Sequence, residues 1–278
     1  MEIKLIALDM DGTALDSDHA TVPERNIAAL RAAAEQGVVV VIASGRPWAH
    51  LRTAAEQIGC VRYALTANGA SALDIAQSRW LWNLGIPEQQ RRELIRLLLD
   101  RGIPVEAYAH GDSYIQWDRR EQVIASAQPE GYGRTVRENS LFTMDLNAAL
   151  EGQVVEKLHL FHVPPEARSS LVEEIHALGP IGLDSAFRTN LELVSPGVNK
   201  AMALERLCRG LGLGPENVMA FGDAGNDEGM LRWAKWSFAV ENATQQAKAA
   251  ARYTTGSNSE GGVGMAIERW LLAEEGQD

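Results

Sequence analysis

Cysteine is nearly absent from this chain. Only Cys60 and Cys208 occur in 278 residues, with no CxxC pair and no Cys/His spacing around them. Neither a disulfide framework nor a zinc site is expected, and two reduced, packed thiols are the natural reading. Long apolar runs are missing too, and none approaches the ~18 residues of a membrane span. The run Ile3 to Leu8 meets Asp9 too early to be the apolar region of a signal peptide. A cytoplasmic protein is therefore expected, and the sequon Asn242-Ala243-Thr244 is given no weight. Basic residues are outnumbered, 26 Lys+Arg against 37 Asp+Glu, for a formal net charge of −11. With no Lys/Arg run either, phosphate-backbone binding to nucleic acid is not expected. Internal repeats, low-complexity stretches and Pro/Ser-rich linkers are absent as well.

What is present is ordinary globular material. The chain is 46% hydrophobic and 23% charged, which argues against disorder, and its length suits two domains. Most of the acids must be solvated surface, so the charge balance alone identifies no substrate.

Ile3 to Leu8 reads as a buried strand. Pro23 suits the first turn of a following helix, with Ile27, Leu30 and Ala34 on one face and Gly37 at its end. Val38 to Ile42 is a continuous β-branched run of the kind buried on both faces of a parallel sheet. Another helix is expected from Trp48 to Ile58. Strand, helix, strand, helix with tight connections predicts a doubly wound α/β unit. From about Gly85 the pattern changes. A helix over 88–101, a hairpin turning at 110–113, a strand over 154–162 and a helix over 165–178 predict an α+β layer with an antiparallel sheet. The first pattern resumes near Leu191, with a helix from Asn199 to Leu211 and a strand from Val218 to Phe221. The expectation is a parallel-sheet (Rossmann-like) core, 1–84 and 190–278, interrupted by an inserted α+β domain, 85–189.

Three of the predicted core strands end in polar clusters: Asp9/Asp11, Ser44-Gly45-Arg46 and Asp223/Asp227. Ligands of open parallel sheets bind beyond the carboxyl ends of the strands. Acids and glycines at strand ends often only form turns. Three such clusters together, with Lys200 opening a helix where its charge opposes the helix dipole, point instead to a site.

The residues Asp9-Met10-Asp11-Gly12-Thr13, Ser44-Gly45-Arg46-Pro47, Asn199-Lys200 and Gly222-Asp223-Ala224-Gly225-Asn226-Asp227 resemble, in order, the four motifs of the haloacid dehalogenase-like phosphatases. The insertion between the second and third motifs resembles the α+β cap of the Cof-type subfamily, as does the segment Gly256 to Val263. The resemblance spans essentially the whole chain. One departure is Ala201, where that family often has Gly after the motif-three lysine; a helix tolerates it.

The chemistry supports the resemblance. A carboxylate approaching a phosphate dianion meets strong repulsion, so cations must stand where negative charge gathers. Mg²⁺ held by hard oxygen ligands meets that need. The resemblance implies Asp9 as nucleophile and Asp11 as general acid/base, with the Asp11 carboxyl raised in pKa so that it starts protonated. It implies Mg²⁺ ligands from Asp9, the Asp11 carbonyl and Asp223, with Asp227 supporting that shell. Phosphate oxygens are expected against Ser44, the amides of Met10 and Gly45, Lys200 and Asn226. Arg46 is expected only to anchor structure.

The implied activity is Mg²⁺-dependent hydrolysis of small phosphorylated metabolites such as sugar phosphates, by a monomer or small homo-oligomer. A phosphomutase of phosphomannomutase type and a non-catalytic Mg²⁺-dependent phospho-receiver are the alternatives, and the Asp9/Asp11 pair argues against the receiver. An EF-hand loop counted from Asp9 fails, because Ala14 and Ala20 occupy the positions of its Gly and Glu. Trp80, Trp82, Tyr108, His110, Tyr114, Trp117, His159 and His162 are polar-aromatic candidates near or within the insertion, and Trp48, directly after the second motif, is a candidate for the entrance. Packing is the expected role for most, and His159 and His162, three apart on a strand, are expected to face opposite sides.

Overall fold

The structure, a computed structural model, describes residues 3–185 and 189–273. The chain begins β1 (Leu5–Leu8), α1 (Glu24–Glu35), β2 (Val39–Ala43), α2 (Trp48–Ile58), β3 (Val61–Thr66), β4 (Ser71–Asp74) and β5 (Arg79–Asn83). A second layer follows: α3 (Glu88–Asp100), β6 (Glu106–Ala109), β7 (Asp112–Gln116), α4 (Arg120–Ser126), α5 (Glu130–Asn139), β8 (Ser140–Thr143), α6 (Leu146–Ala149), β9 (Val155–Leu160), α7 (Pro165–Ala177), β10 (Gly182–Asp184) and β11 (Leu191–Val194). The chain then returns through α8 (Lys200–Leu211), β12 (Val218–Gly222), α9 (Glu228–Trp233), β13 (Trp236–Ala239), α10 (Gln245–Ala250), β14 (Tyr253–Thr254) and α11 (Gly262–Ile267).

The first sheet runs β14-β13-β12-β1-β2-β3-β4-β5. The strands from β14 to β3 are parallel, and β4 and β5 complete the edge as an antiparallel meander. The expected doubly wound core is present, with a mixed edge in place of an all-parallel sheet. Alternation along the central strands explains the layering. Ile6, Leu8, Val40 and Ile42 pack with residues of α1, α2 and α11, including Leu30, Leu51 and Val263. Leu5, Ala7, Val41 and Ala43 pack on the other face with Leu204, Leu207 and Met230 of α8 and α9. Both faces are covered, which is why these strands read as unbroken apolar runs. The two thiols are free, Cys208 buried and Cys60 half-buried.

The second sheet, β10-β11-β9-β6-β7-β8, is antiparallel except for β7 beside β8. The predicted hairpin tightens to a two-residue turn, since Ala109 already pairs with Asp112. Period-two alternation here separates two chemistries. Ala107, Ala109, Leu158, Leu160, Leu191 and Leu193 pack with α3, α6 and α7. The intervening Glu106, Tyr108, Lys157, His159 and Glu192 are buried and polar, and Lys157 and Glu192 bond directly to the first unit. One expectation is corrected at this point. The sequence pattern places Leu191–Val194 in the resumed core, whereas the strand pairs with β9 and β10 in the second sheet.

Candidate active site

Strands β1, β2 and β12 are neighbours in one parallel sheet, so their carboxyl ends open on the same edge. Asp9 directly follows β1, Ser44 follows β2 and Asp223 follows β12. A cavity of about 370 Å³ lies there, floored by Asp9, Asp11, Gly45, Asp223 and Asn226. From the second sheet, Tyr108, Lys157, His159 and Glu192 close it above.

Lys200 is the first residue of α8, whose N-terminus is capped by Asn199 Oδ1 accepting from the Met202 amide at 2.9 Å. Its ammonium donates to Asp9 Oδ1 at 2.5 Å and to Asp227 Oδ1 at 2.7 Å. Burial alone would lower the lysine pKa, but Asp227 and Asp9 outweigh it and hold the group cationic. This is the reason a lysine tolerates the positive end of the helix dipole. Asp227 is fully committed: its Oδ2 accepts the amides of Asp223 and Ala224 at 3.0 and 3.1 Å. It therefore shapes the loop that presents Asp223.

Asp9, Asp223 and Asp227 each offer a carboxylate oxygen within 4.8 Å of the others. Burial raises the pKa of Asp9, and the carboxylate of Asp227 adds to it against the pull of Lys200. Burial and the neighbouring Asp9 and Asp227 raise Asp223 as well. Crowded, desolvated carboxylates with hard oxygen donors are the arrangement a divalent cation relieves, so the residues fit Mg²⁺. Gly12 makes the approach possible. It sits at φ +73°, and a Cβ there would lie 2.6 Å from Asp223 Oδ2. Thr13 Oγ1 donates to Asp223 Oδ1 at 3.1 Å, fixing that carboxylate from the same turn.

Asp11 lines the cavity, but its carboxylate stands apart from the trio. Arg46 donates to it through both Nε and Nη2, and His19 Nδ1 lies 2.8 Å from Oδ1. Burial would raise its pKa, yet the Arg46 guanidinium and the His19 ring prevail and hold it well below the usual carboxylate range. The expected raised pKa is thus corrected: in this arrangement Asp11 is an ion-paired anion. Arg46 is also more than an anchor of its own loop. Its guanidinium stacks 4.0 Å from the ring centroid of Tyr132 on α5, linking Asp11 to the second unit.

The other expected residues take definite places. Ser44 is buried, with its Oγ accepting the Arg46 amide at 3.1 Å. Gly45 and Asn226 line the cavity. The side chain of Met10 is buried in the core cluster, so only its backbone is free to serve the site. His159 is buried beside Glu106 and Tyr108, whereas His162 is exposed. Sequence reasoning missed His19, Arg46, Lys157 and Glu192 as a group. Only Arg46 carried a signal, through its place beside Ser44-Gly45.

A family profile described as haloacid dehalogenase-like hydrolase matches residues 6–267. The chain is 30% identical to the 5-amino-6-(5-phospho-D-ribitylamino)uracil phosphatase YcsE of Bacillus subtilis, over 98% of this chain and 97% of the relative. It is also 30% identical to the similarly named phosphatase YbjI of Escherichia coli, over 99% of this chain and 98% of that one. A solved haloacid dehalogenase-like hydrolase from B. subtilis superposes with a TM-score of 0.84. It is 24% identical, with 97% of this chain and 100% of that chain covered, and shares the fold.

Proposed function

The chain belongs to the haloacid dehalogenase-like hydrolases, in their Cof-type branch, and on that premise we propose that Asp9 is the nucleophile and Asp11 the acid/base of its reaction. The protein is a Mg²⁺-dependent phosphatase of small phosphorylated metabolites. The observation that carries the residue assignment is the fork of Lys200 between Asp9 Oδ1 and Asp227 Oδ1. It fixes one oxygen of Asp9 and leaves Oδ2 without a hydrogen-bond partner among the described residues, beside the cavity.

In this reading Asp9 Oδ2 attacks phosphorus, and the bond from phosphorus to the leaving oxygen breaks as Asp11 delivers a proton to that oxygen. Asp11 then takes a proton from water, whose oxygen attacks phosphorus and breaks the bond to Asp9, releasing inorganic phosphate. Ser44, the amides of Met10 and Gly45, and Asn226 orient the phosphoryl oxygens, and Lys200 balances the charge of Asp9. Asp9, Asp223 and the Asp11 carbonyl would hold Mg²⁺, with Asp227 behind them, and the ion would supply positive charge at the phosphoryl oxygens. For Asp11 to act as an acid, its pairing with Arg46 must loosen when substrate is bound.

We assign residues 85–198 to the cap, extending the expected boundary so that it includes Leu191–Val194. The two relatives at 30% identity make 5-amino-6-(5-phospho-D-ribitylamino)uracil the first substrate to try, followed by sugar phosphates. The acidic balance of −11 supports a protein that works without nucleic acid, and a cytoplasmic monomer or small homo-oligomer completes the proposal. Among the described residues no helix is long and apolar enough to cross a membrane. The test is release of inorganic phosphate from p-nitrophenyl phosphate with Mg²⁺. Reversible loss on chelation supports the reading, and undiminished release with chelator present defeats it.

A further inference from the structure

The cavity above Asp9 is larger than a phosphoryl group alone requires, so the remaining space belongs to the leaving group. Its upper wall is built around an ion pair. Lys157 Nζ and Glu192 Oε1 are 2.8 Å apart, and their side chains are 1% and 6% exposed. The pair is braced from the core: Lys157 donates to the Gly45 carbonyl at 2.8 Å, and Glu192 Oε2 accepts from Asn68 Nδ2 at 2.6 Å. His159 continues the wall, with Nε2 3.7 Å from Glu192 Oε1 and its ring 4.1 Å from that of Phe161.

The charges at this wall are already matched. Among the described residues around the cavity, Arg46 is engaged by Asp11, Lys157 by Glu192, and Lys200 by Asp9 and Asp227. A carboxylate on the leaving group would find the upper ammonium neutralised and the buried Glu192 carboxylate opposing it. A hydroxyl both donates and accepts, so it can bridge an ammonium and a carboxylate without adding charge. Resting on the phosphatase reading above, we propose that Lys157 and Glu192 form the leaving-group subsite and select uncharged, hydroxyl-bearing chains over leaving groups that carry a carboxylate or a second phosphate.

The test is steady-state kinetics of the full chain with Mg²⁺ on matched pairs: glycerol 3-phosphate with 3-phosphoglycerate, ribitol 5-phosphate with 5-phosphoribonate, and sorbitol 6-phosphate with 6-phosphogluconate. The alcohol member is expected to exceed its acid partner in kcat/KM by about ten-fold or more. Glu192→Gln should bring that ratio toward one by releasing Lys157 to meet the acid, and Lys157→Met should raise it by leaving Glu192 unopposed. A purely structural defect lowers both members together and leaves the ratio unchanged. Acid members that match or exceed the alcohols, ratios unmoved in both variants, or no turnover of any alcohol member would overturn the proposal. Turnover of p-nitrophenyl phosphate by the native protein separates the two levels. If it persists, only the subsite fails; if it is absent, the phosphatase reading fails with it.

Discussion

Arg46 grips the carboxylate of Asp11 with two of its nitrogens while its guanidinium plane lies under the ring of Tyr132. One buried side chain thus joins the acid/base candidate to a helix of the cap. The bond holds Asp11 ionised, and contact with Tyr132 makes the position of the cap part of that hold.

Arg46→Met frees Asp11 to take up a proton but loses its placement and its tie to the cap, and the second effect should dominate, lowering kcat on p-nitrophenyl phosphate by roughly ten- to hundred-fold. Circular dichroism should show the secondary structure retained. Native kcat in this variant would mean that Arg46 positions neither Asp11 nor the cap.

Gly131 marks a second point of contact between cap and core. A Cβ at this position of α5 would stand 2.1 Å from the carbonyl oxygen of Asp18. Alanine suits the helix better than glycine, but the clash is with backbone and outweighs that gain, so Gly131→Ala should lower the thermal midpoint. The cap must also shift to admit the methyl group, and kcat/KM should fall on the order of ten-fold. Unaltered kcat/KM would show that this close approach does not matter to turnover.

Glu156 gives a pH signature. It is the residue skipped where β6 and β9 slip register, and although Ser71, Asn83 and the Gly111 amide approach its carboxylate, neither oxygen makes a hydrogen bond of ordinary geometry among the described residues. Burial pushes its carboxyl up to about 7 from an unfolded value of 4.5. A carboxyl raised in the folded state contributes stability that is fully present below the unfolded pKa. That stability is lost as pH climbs through the folded pKa, a swing of about 3 kcal/mol. The thermal midpoint of the native protein should fall from pH 5 to pH 8 through this group. Glu156→Gln should flatten that slope and unfold at a higher temperature than the native protein at pH 8. Parallel curves for the two proteins would contradict the assignment.

Much of this architecture was legible because it repeats local rules. The strand of Val39–Ala43 and the helix of Trp48–Ile58 follow from β-branched runs and apolar spacing, and the four motifs fall at strand and helix ends where the structure places them. Leu191–Val194 reads as resumed core because three apolar residues around one acid suit a strand of either sheet, and only pairing with β9 decides between them. The short helices α4 and α6 have too few turns to show a period, and α5 buries only Gly133 and Val136, which leaves no apolar stripe to read. The Arg46–Asp11 and Lys157–Glu192 pairings are out of reach for another reason: the partners lie 35 residues apart in both, and burial, not sequence spacing, gives them meaning.

The central claim is that Asp9 carries the phosphoryl group. Rapid acid quenching of turnover with p-nitrophenyl phosphate and Mg²⁺, followed by peptide mapping, tests it most directly, with Asp11→Asn used to slow the second step. The account predicts a hydroxylamine-sensitive phosphoryl group on the peptide containing Asp9, and neither adduct nor turnover in Asp9→Asn. Sustained turnover by Asp9→Asn, or a phosphoryl group on any other residue, would contradict it.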